Sequence, residues 1–181
     1  ELRSMPLRNR VKGRMSWLTV NLVLDLMAAS VIPFFEETIS SVIALVFFLP
    51  IISDMGGNTG SQSIGVTLRE MTAGLVTPRD AWRIIWRELP LSVMNGFVVG
   101  LLLAIVGFLW RGNPYLGLLV GLALGVNTVI AACVGASLPL VLKRLGVDPA
   151  VASGPILTTI TDVSGFFLVL GGAKMILPHL T

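Results

Sequence analysis

The chain has 181 residues, of which 54% are hydrophobic and 13% are charged, and its mean hydropathy is +0.87. These values exclude an ordinary soluble domain and indicate an all-α, multi-pass protein of the cell membrane, with length for five crossings of about 20 residues each. The formal net charge of +3 does not indicate a nucleic-acid partner, because the basic residues are neither clustered on one soluble domain nor interleaved with stacking aromatic residues.

The chain begins with a basic segment over residues 1–16. Positive charges beside a membrane span are retained on the cytoplasmic side, so we predict a cytoplasmic connecting segment that leads into a membrane domain over residues 17–181. The basic residues of the segment are Arg3, Arg8, Arg10, Lys12 and Arg14.

Span 1 is predicted from about Trp17 to Pro33. It contains Asn21 and Asp25, which are four residues apart and therefore share one face of a helix. Polar side chains at membrane depth avoid lipid, so we expect this face to look toward the protein interior.

Two acidic residues, Glu36 and Glu37, follow in a predicted short turn over Phe34–Thr38 on the far side of the membrane. Acidic residues at such a place can concentrate cations at an entrance. Ordinary solvated loop charges are the alternative, and the sequence favours neither.

Span 2 is predicted to start near Ile39 and to be interrupted at membrane depth by Pro50 and a polar run from Ser53 to Ser63. Backbone groups freed by an interruption cannot face lipid, so this run is expected to line a wet cavity or to be buried in protein. A structural glycine-rich kink is the alternative, and the polar side chains within the run favour the cavity. These side chains are Asp54, Asn58 and Gln62.

Residues 66–89 are predicted to form a cytoplasmic amphipathic connection. Thr77, Pro78 and Asp80 have the pattern of a helix start, with an N-cap, a proline at the first helical position and an acid in the first turn. Apolar residues then recur at helical spacing, which predicts an interfacial helix that runs directly into span 3. They are Trp82, Ile85, Trp86 and Leu89.

Spans 3, 4 and 5 are predicted at about residues 90–110, 115–142 and 150–177. Glycines recur every fourth residue in spans 3 and 4, which predicts that helices pack closely there. They are Gly96 and Gly100 in span 3, and Gly117, Gly121 and Gly125 in span 4. Asn127 in span 4 is expected to form a hydrogen bond to another helix.

The basic residues test this layout. Of the thirteen Lys and Arg residues, two, Arg111 and Lys174, fall on one predicted side of the membrane, and the other eleven fall on the opposite side. Because basic residues accumulate on the cytoplasmic side, the asymmetry predicts five spans with a cytoplasmic N-terminus and a C-terminus outside.

Three carboxylates lie in or beside apolar spans, namely Asp25, Asp54 and Asp162. An Asp at the middle of a membrane costs roughly 2.5–3.5 kcal/mol, so it needs a partner, a wet cavity or a cation. The surrounding ligand atoms are hard oxygens, which suit Mg²⁺, Ca²⁺ or Mn²⁺. One Asp162 per chain is few for a divalent ion, so we expect two copies to pair this residue across a two-fold axis.

Two runs of sequence resemble the MgtE magnesium channels and the related solute carriers. Residues 50–63, PIISDMGGNTGSQS, resemble the signature of that family, and residues 161–165, TDVSG, resemble the metal-site stretch of its last helix. The resemblance extends from about Arg14 to the end of the chain.

This resemblance implies a homodimeric pore for Mg²⁺ with five helices per chain. Asp162 would be the central metal-site residue, Thr158 would offer a carbonyl and Asn58 would line the pore, whereas some members have a second Asn where Ser61 stands, which argues against a direct role for Ser61. Together with the acidic and amide residues above, the candidate metal ligands are Asp162, Thr158, Asn58, Asp54, Gln62, Glu36, Glu37 and Asp25.

Members of this family usually carry cytoplasmic domains that sense Mg²⁺ and gate the pore through a connecting helix. The resemblance therefore implies that residues 1–16 correspond to the end of that helix. The chain is then either a pore domain taken from a longer protein or a member without the sensor.

The sequence leaves two transport mechanisms open, a Mg²⁺ channel and a carrier coupled to Na⁺ or H⁺. An intramembrane enzyme is not expected, because the spans contain no Ser/His or Cys/His pair and no HExxH motif. The single cysteine, Cys133, excludes a disulfide framework within one chain.

Overall fold

The computed structural model describes residues 6–180, and all regular structure in that range is helical. The other residues, including Arg3 of the predicted basic segment, lie outside the described part. The longer helices are α1 (Leu7–Ala29), α3 (Leu45–Thr72), α4 (Ala81–Arg111), α5 (Pro114–Arg144) and α6 (Pro149–Phe166). The short ones are α2 (Glu36–Ser41), α7 (Gly172–Met175) and α8 (Leu177–Leu180), with 3₁₀ turns at Ile32–Phe35 and Pro78–Asp80 and a π-helical turn at Phe167–Gly171.

Four stretches within the described residues are long and apolar enough to cross a membrane. They are Arg14–Ser41, Pro78–Arg111, Pro114–Arg144 and Pro149–Met175. They contain the predicted spans 1, 3 and 4 and most of span 5. Helix α3 has the necessary length, 28 residues, but its polar centre lowers its hydropathy. A fifth crossing by α3 therefore stays a prediction, as do the orientation and the two-copy assembly.

Helix α3 is continuous, so the predicted interruption of span 2 is wrong. Pro50 lies near its start, where it removes one backbone hydrogen bond without ending the helix. Gly56 and Gly60 are buried, and a Cβ added at either would come within 2.6 Å of a side chain on α5 or α6. Close packing against those helices stabilises a helical conformation that glycines do not favour by themselves.

The segment after α1 also differs from the prediction. The expected turn over Phe34–Thr38 is instead helical, with Phe34 and Phe35 in a 3₁₀ turn and the next three residues in α2, which begins at Glu36. Glu36 and Glu37 occupy the first turn of α2, where unpaired backbone N–H groups favour negative charge. This electrostatic preference explains why the acidic pair starts a helix.

The predicted start of the amphipathic helix is confirmed. The backbone N–H of Thr77 donates to Asp80 Oδ2 at 2.9 Å, its hydroxyl donates to the same oxygen at 2.7 Å, and Pro78 takes the first helical position. Helix α4 then continues without a break through Pro90 to Arg111. The segment predicted to lie at the interface and span 3 therefore belong to one continuous helix.

The glycine pattern of spans 3 and 4 packs α4 against α5, as predicted. A Cβ on Gly96 would lie 2.6 Å from the carbonyl oxygen of Gly125, and a Cβ on Gly100 would lie 2.6 Å from that of Gly121. The two backbones thus approach each other where only glycine fits.

Helix α5 is the centre of the molecule. In the apolar part of its stretch 56% of the residues are buried, against 6% in the apolar part of Arg14–Ser41, which includes most of α1. Phe48 and Ile52 of α3 pack with Val120 of α5 and Leu170 of the π-helical turn in the main core. Helices α3 and α6 are therefore supported by α5, and α1 lies at the periphery.

Candidate functional site

A cleft of about 670 Å³ lies between α1, α3 and α6. Each of these helices contributes polar side chains to the lining, although each also has a largely apolar sequence. The cleft brings together five of the eight candidate ligands from the sequence, which are Asp25, Asp54, Asn58, Thr158 and Asp162.

The wall formed by α3 is a polar stripe at helical spacing. Its lining residues recur at intervals of one, three and four positions, so they project from one face of the helix. Asn58 Nδ2 donates to Asp54 Oδ2 at 3.0 Å. This hydrogen bond occupies the amide nitrogen and leaves the carbonyl oxygen of Asn58 as an acceptor. The lining residues of the stripe are Ser53, Asp54, Gly57, Asn58 and Ser61.

The wall formed by α6 carries Asp162, which is half-buried. Its Oδ1 accepts a hydrogen bond of 2.5 Å from the hydroxyl of Ser53, which orients the carboxylate across the cleft. One turn earlier, the carbonyl oxygen of Thr158 accepts from the Thr161 hydroxyl at 3.0 Å. The hydroxyl of Thr158 donates to the carbonyl of Pro155 at 3.0 Å.

The wall formed by α1 carries Asn21 and Asp25, so the predicted polar face of span 1 does look toward the other helices. The buried Oδ1 of Asn21 has no hydrogen-bond partner among the described residues. Asp25 is exposed. This wall therefore adds a second carboxylate opposite Asp162 and a carbonyl-type oxygen that no described donor satisfies.

Electrostatically, the cleft is suited to a cation. Three carboxylates line it, and its described lining includes no Lys, Arg or His. The available ligand atoms are carboxylate, amide and carbonyl oxygens, which favour hard divalent ions over copper or zinc. Nowhere in residues 6–180 do three His, Cys, Asp or Glu side chains come close enough together to bind a metal by themselves. The described part of one copy thus offers an acidic cleft but not a complete set of metal-binding side chains.

The two polar walls of α3 and α6 are joined from behind by Asn127 of α5. Its Nδ2 donates to the carbonyl oxygen of Ile52 at 3.1 Å, and its Oδ1 accepts from the Ser164 hydroxyl at 2.7 Å. Asn127 is fully buried. The prediction that this residue bonds to another helix is confirmed, and it bonds to two.

Three candidate ligands lie elsewhere. Gln62 is exposed and lies outside the cleft, because it is about 100° further around the helix than Ser61. Glu36 and Glu37 line a separate pocket of about 310 Å³ that also includes Lys174. The ammonium group competes with any cation there, which favours the interpretation of this acidic pair as ordinary surface charges.

Comparison with known proteins identifies the family. The sequence model of the MgtE family, described as a divalent cation transporter, matches residues 49–172. That range contains the α3 and α6 walls of the cleft and Asn127. The chain belongs to the MgtE family.

Relatives of this MgtE chain cover nearly its whole length. It is 38% identical over 158 residues to the magnesium transporter MgtE of Bacillus subtilis, which is 87% of this chain and 35% of that protein. Identity is 35% over 166 residues to the Thermus thermophilus protein of the same name, 91% of this chain and 36% of that protein. For the Enterococcus faecalis protein it is 32% over 179 residues, 99% of this chain and 39% of that protein.

The chain therefore spans little more than a third of the length of these relatives. The chain is therefore a membrane protein of a family that is described as divalent cation transporters, a class of transporters and not of enzymes. The likeness predicted from residues 50–63 and 161–165 is confirmed at the level of the family.

Ser53 lines the cleft of this MgtE chain but was not among the predicted ligands. The signal was present, because Ser53, Asp54, Gly57, Asn58 and Ser61 follow helical spacing and predict one polar face of an unbroken helix. The glycines and Pro50 instead favoured the prediction of an interrupted helix. The spacing of Asn21 from Asp25 predicts that the two share a helix face, but nothing in the sequence predicts that Asn21 Oδ1 lacks a hydrogen-bond donor among the described residues.

Proposed function

We propose that this chain transports Mg²⁺ across a membrane through the cleft between α1, α3 and α6. The observation that carries the proposal is the convergence of Asp25, Asp54 and Asp162 in one cleft whose described lining has no basic side chain. Three acids that line one cleft make it strongly negative, and a divalent cation offsets that charge. The relatives named magnesium transporter make Mg²⁺ the first ion to test.

Asp162 is the proposed central site. The Ser53 hydroxyl holds one of its oxygens, and the other remains for the ion or for water in the ion's hydration shell. Mg²⁺ releases water reluctantly and usually keeps several water ligands. The Asn58 carbonyl oxygen, Asp54 and the Thr158 segment then act as acceptors around a hydrated ion. Mn²⁺ and Ca²⁺ share the preference for oxygen and are candidate further substrates.

Two copies of the chain are proposed to complete the path. A single copy supplies one carboxylate from α6, and no group of three metal-binding side chains occurs within residues 6–180. A two-fold axis beside α6 would double each carboxylate and pair the two Asp162 residues. In this arrangement α3 provides a fifth crossing, with its polar stripe facing the path and away from lipid. The basic ends lie in the cytoplasm.

A channel is the preferred mechanism, and a carrier coupled to Na⁺ or H⁺ is the alternative. Current through planar bilayers with a reversal potential that follows the Mg²⁺ gradient alone would support the channel. Uptake that depends strictly on a Na⁺ or pH gradient would support the carrier. Both mechanisms use the same cleft, so this measurement does not test the site itself.

The site is tested by Mg²⁺ uptake into liposomes that contain purified protein and an internal Mg²⁺ dye. Asp162→Asn keeps the size of the side chain and removes its charge, so we expect near-complete loss of uptake. Asp162→Glu keeps the charge and is expected to retain part of the uptake. Glu70→Gln removes an acid of the same helix as Asp54 outside the cleft lining and serves as the matched control.

Unchanged uptake by Asp162→Asn would overturn the assignment of the cleft as the path. Loss of uptake in Glu70→Gln to the same degree would show that the assay reports general damage. Reconstituted protein is compared by circular dichroism, so that a variant that fails to fold is recognised.

A further inference from the structure

The surface of α4 and α5 carries a groove that shares no lining residue with the cleft. The groove has a volume of about 300 Å³, and its lining consists of glycines and apolar side chains. Gly96, Gly100, Gly121 and Gly125 form its floor, because glycine brings the two helices together and leaves no side chain to fill the seam. Val93 and Phe97, both more than half exposed, form part of its rim.

The groove continues along α4 into a basic and aromatic surface. Residues separated by whole turns share one face of a helix. Trp86 lies about two turns before Val93, and Arg83 lies about five turns before Leu101, and both Val93 and Leu101 line the groove. Trp86 and Arg83 therefore lie on the groove side of α4. Trp82 and Trp86 are 68% and 57% exposed, and their rings contact edge to face with centroids 5.8 Å apart. Exposed Trp at the end of an apolar stretch marks the level of lipid headgroups.

This surface carries a net positive charge, with three arginines against two carboxylates. Arg79, Arg83 and Arg87 are all exposed. Of the neighbouring carboxylates, Asp80 accepts hydrogen bonds from Thr77 and also attracts Arg83 and Arg87, and Glu88 accepts one from Ser63. This stretch therefore presents more cationic donors than acidic partners, directly above a narrow apolar groove.

We propose that an anionic phospholipid binds here, with its phosphate at Arg79, Arg83 and Arg87 and one acyl chain in the groove between α4 and α5. The lengths agree, since the groove from Val93 to Ala104 extends about 16 Å along the helix, comparable to most of one acyl chain. Trp86 lies among these arginines, at the headgroup end of the groove. The assignment rests on charge complementarity and on the continuity of the groove with the basic surface, and it is independent of the ion path.

A second copy of the chain is the other possible occupant of the groove. The floor would suit a helix, because glycine-lined surfaces also pack against helices. The arginines at one end distinguish the two, since two identical copies related by a two-fold axis would bring the same positive charges near one another. That charge favours an anionic lipid.

Native mass spectrometry of the whole detergent-purified protein tests the proposal. Dioleoyl phosphatidylglycerol and dioleoyl phosphatidylcholine have the same chains and different charge, so their ratio of binding constants isolates the headgroup. The wild type is expected to prefer phosphatidylglycerol. Each Arg→Gln substitution at positions 79, 83 and 87 is expected to reduce that preference about fivefold, and Arg83→Lys is expected to keep it.

The groove is tested separately with Val93→Trp, because a tryptophan side chain at the rim would block the groove. Binding of both lipids is expected to fall, whereas Leu102→Trp, at an exposed position of α4 outside the groove, is expected to leave it unchanged. Lys143→Gln with Arg144→Gln, two exposed basic residues at the end of α5, provides the charge control.

Equal binding of the two lipids by the wild type would overturn the headgroup assignment. Equal effects of Val93→Trp and Leu102→Trp would overturn the groove assignment. If Val93→Trp instead converts dimers to monomers with unchanged lipid binding, the groove holds a second copy, and the proposal is wrong. Unaltered circular dichroism and a single elution peak are required of every variant.

Discussion

Ser53 donates a hydrogen bond of 2.5 Å to Asp162, and this contact joins two helices of the cleft across 109 positions of sequence. A hydrogen bond to a charged group contributes about 1.5–3 kcal/mol. Removing the Ser53 hydroxyl would remove this hydrogen bond but would leave the negative charge of Asp162 in place. The hydroxyl therefore orients the carboxylate, and the carboxylate attracts the ion.

Ser53→Ala is predicted to reduce Mg²⁺ uptake by roughly tenfold, as expected for the loss of about 1.5 kcal/mol of orientation. Ser53→Thr retains the hydroxyl and is expected to retain most of the uptake. The same liposome assay measures both variants and Asp162→Asn. A loss in Ser53→Ala as complete as that in Asp162→Asn would contradict a purely orienting role.

Gly56→Ala is predicted to destabilise the protein, because the added Cβ would lie 2.6 Å from Asn127 Nδ2 and 3.2 Å from the Thr161 Cβ. Overpacking of this kind costs about 1–3 kcal/mol. Gly65→Ala on the same helix is the matched control, since its Cβ would meet no atom within 4 Å. Alanine is expected there to be neutral or to stabilise by up to about 1 kcal/mol.

Unfolding in mixed detergent micelles, followed by circular dichroism, measures this pair. The prediction is the difference between the two variants, so a general effect of Gly→Ala substitution in the detergent cancels. Equal stability of Gly56→Ala and Gly65→Ala would mean that α3 moves away from α5 at little cost.

Asn127→Leu is predicted to lower the free energy of unfolding by about 1–2 kcal/mol, because two interhelical hydrogen bonds are lost. The carbonyl of Ile52 loses a donor, and the hydroxyl of Ser164 loses an acceptor. Asn95→Leu, at an exposed position of α4, is the control. Full stability of Asn127→Leu would show that water or a rearranged side chain replaces both bonds.

The contact between Ser63 and Glu88 gives a fourth prediction. Ser63 Oγ donates to Glu88 Oε1 at 3.0 Å and ties α3 to the amphipathic part of α4. Glu88→Gln retains an acceptor oxygen and is expected to be nearly neutral, whereas Glu88→Ala is expected to cost about 1 kcal/mol. A double-mutant cycle with Ser63→Ala isolates the contact, and a coupling energy near zero would exclude it in solution.

Local signals predicted much of this fold. The helix start at Thr77 and Asp80 depends on neighbouring residues, so the sequence was sufficient to find it. The glycine contacts of α4 with α5 and the bonding of Asn127 followed from the physics of polar and small residues in lipid.

The continuity of α3 was not predictable in the same way. Gly56 and Gly60 weaken an isolated helix, and only contact with α5 and α6 reverses that preference. Sequence spacing placed Asp54, Asn58 and Asp162 among the candidate ligands, but the exclusion of Gln62 required the helical face of an unbroken α3. The separation of Glu36 and Glu37 from the cleft depends on tertiary packing beside Lys174.

The double attachment of Asn127 has a mechanical consequence. Because this one side chain holds α3 and α6 together, those two sides of the cleft form a fixed frame. The third side, α1, lies mostly in the stretch Arg14–Ser41, whose apolar part is only 6% buried, so little packing holds it against the rest of the chain. Within one copy of the chain, α1 is therefore the side of the cleft whose displacement would break the fewest packing contacts.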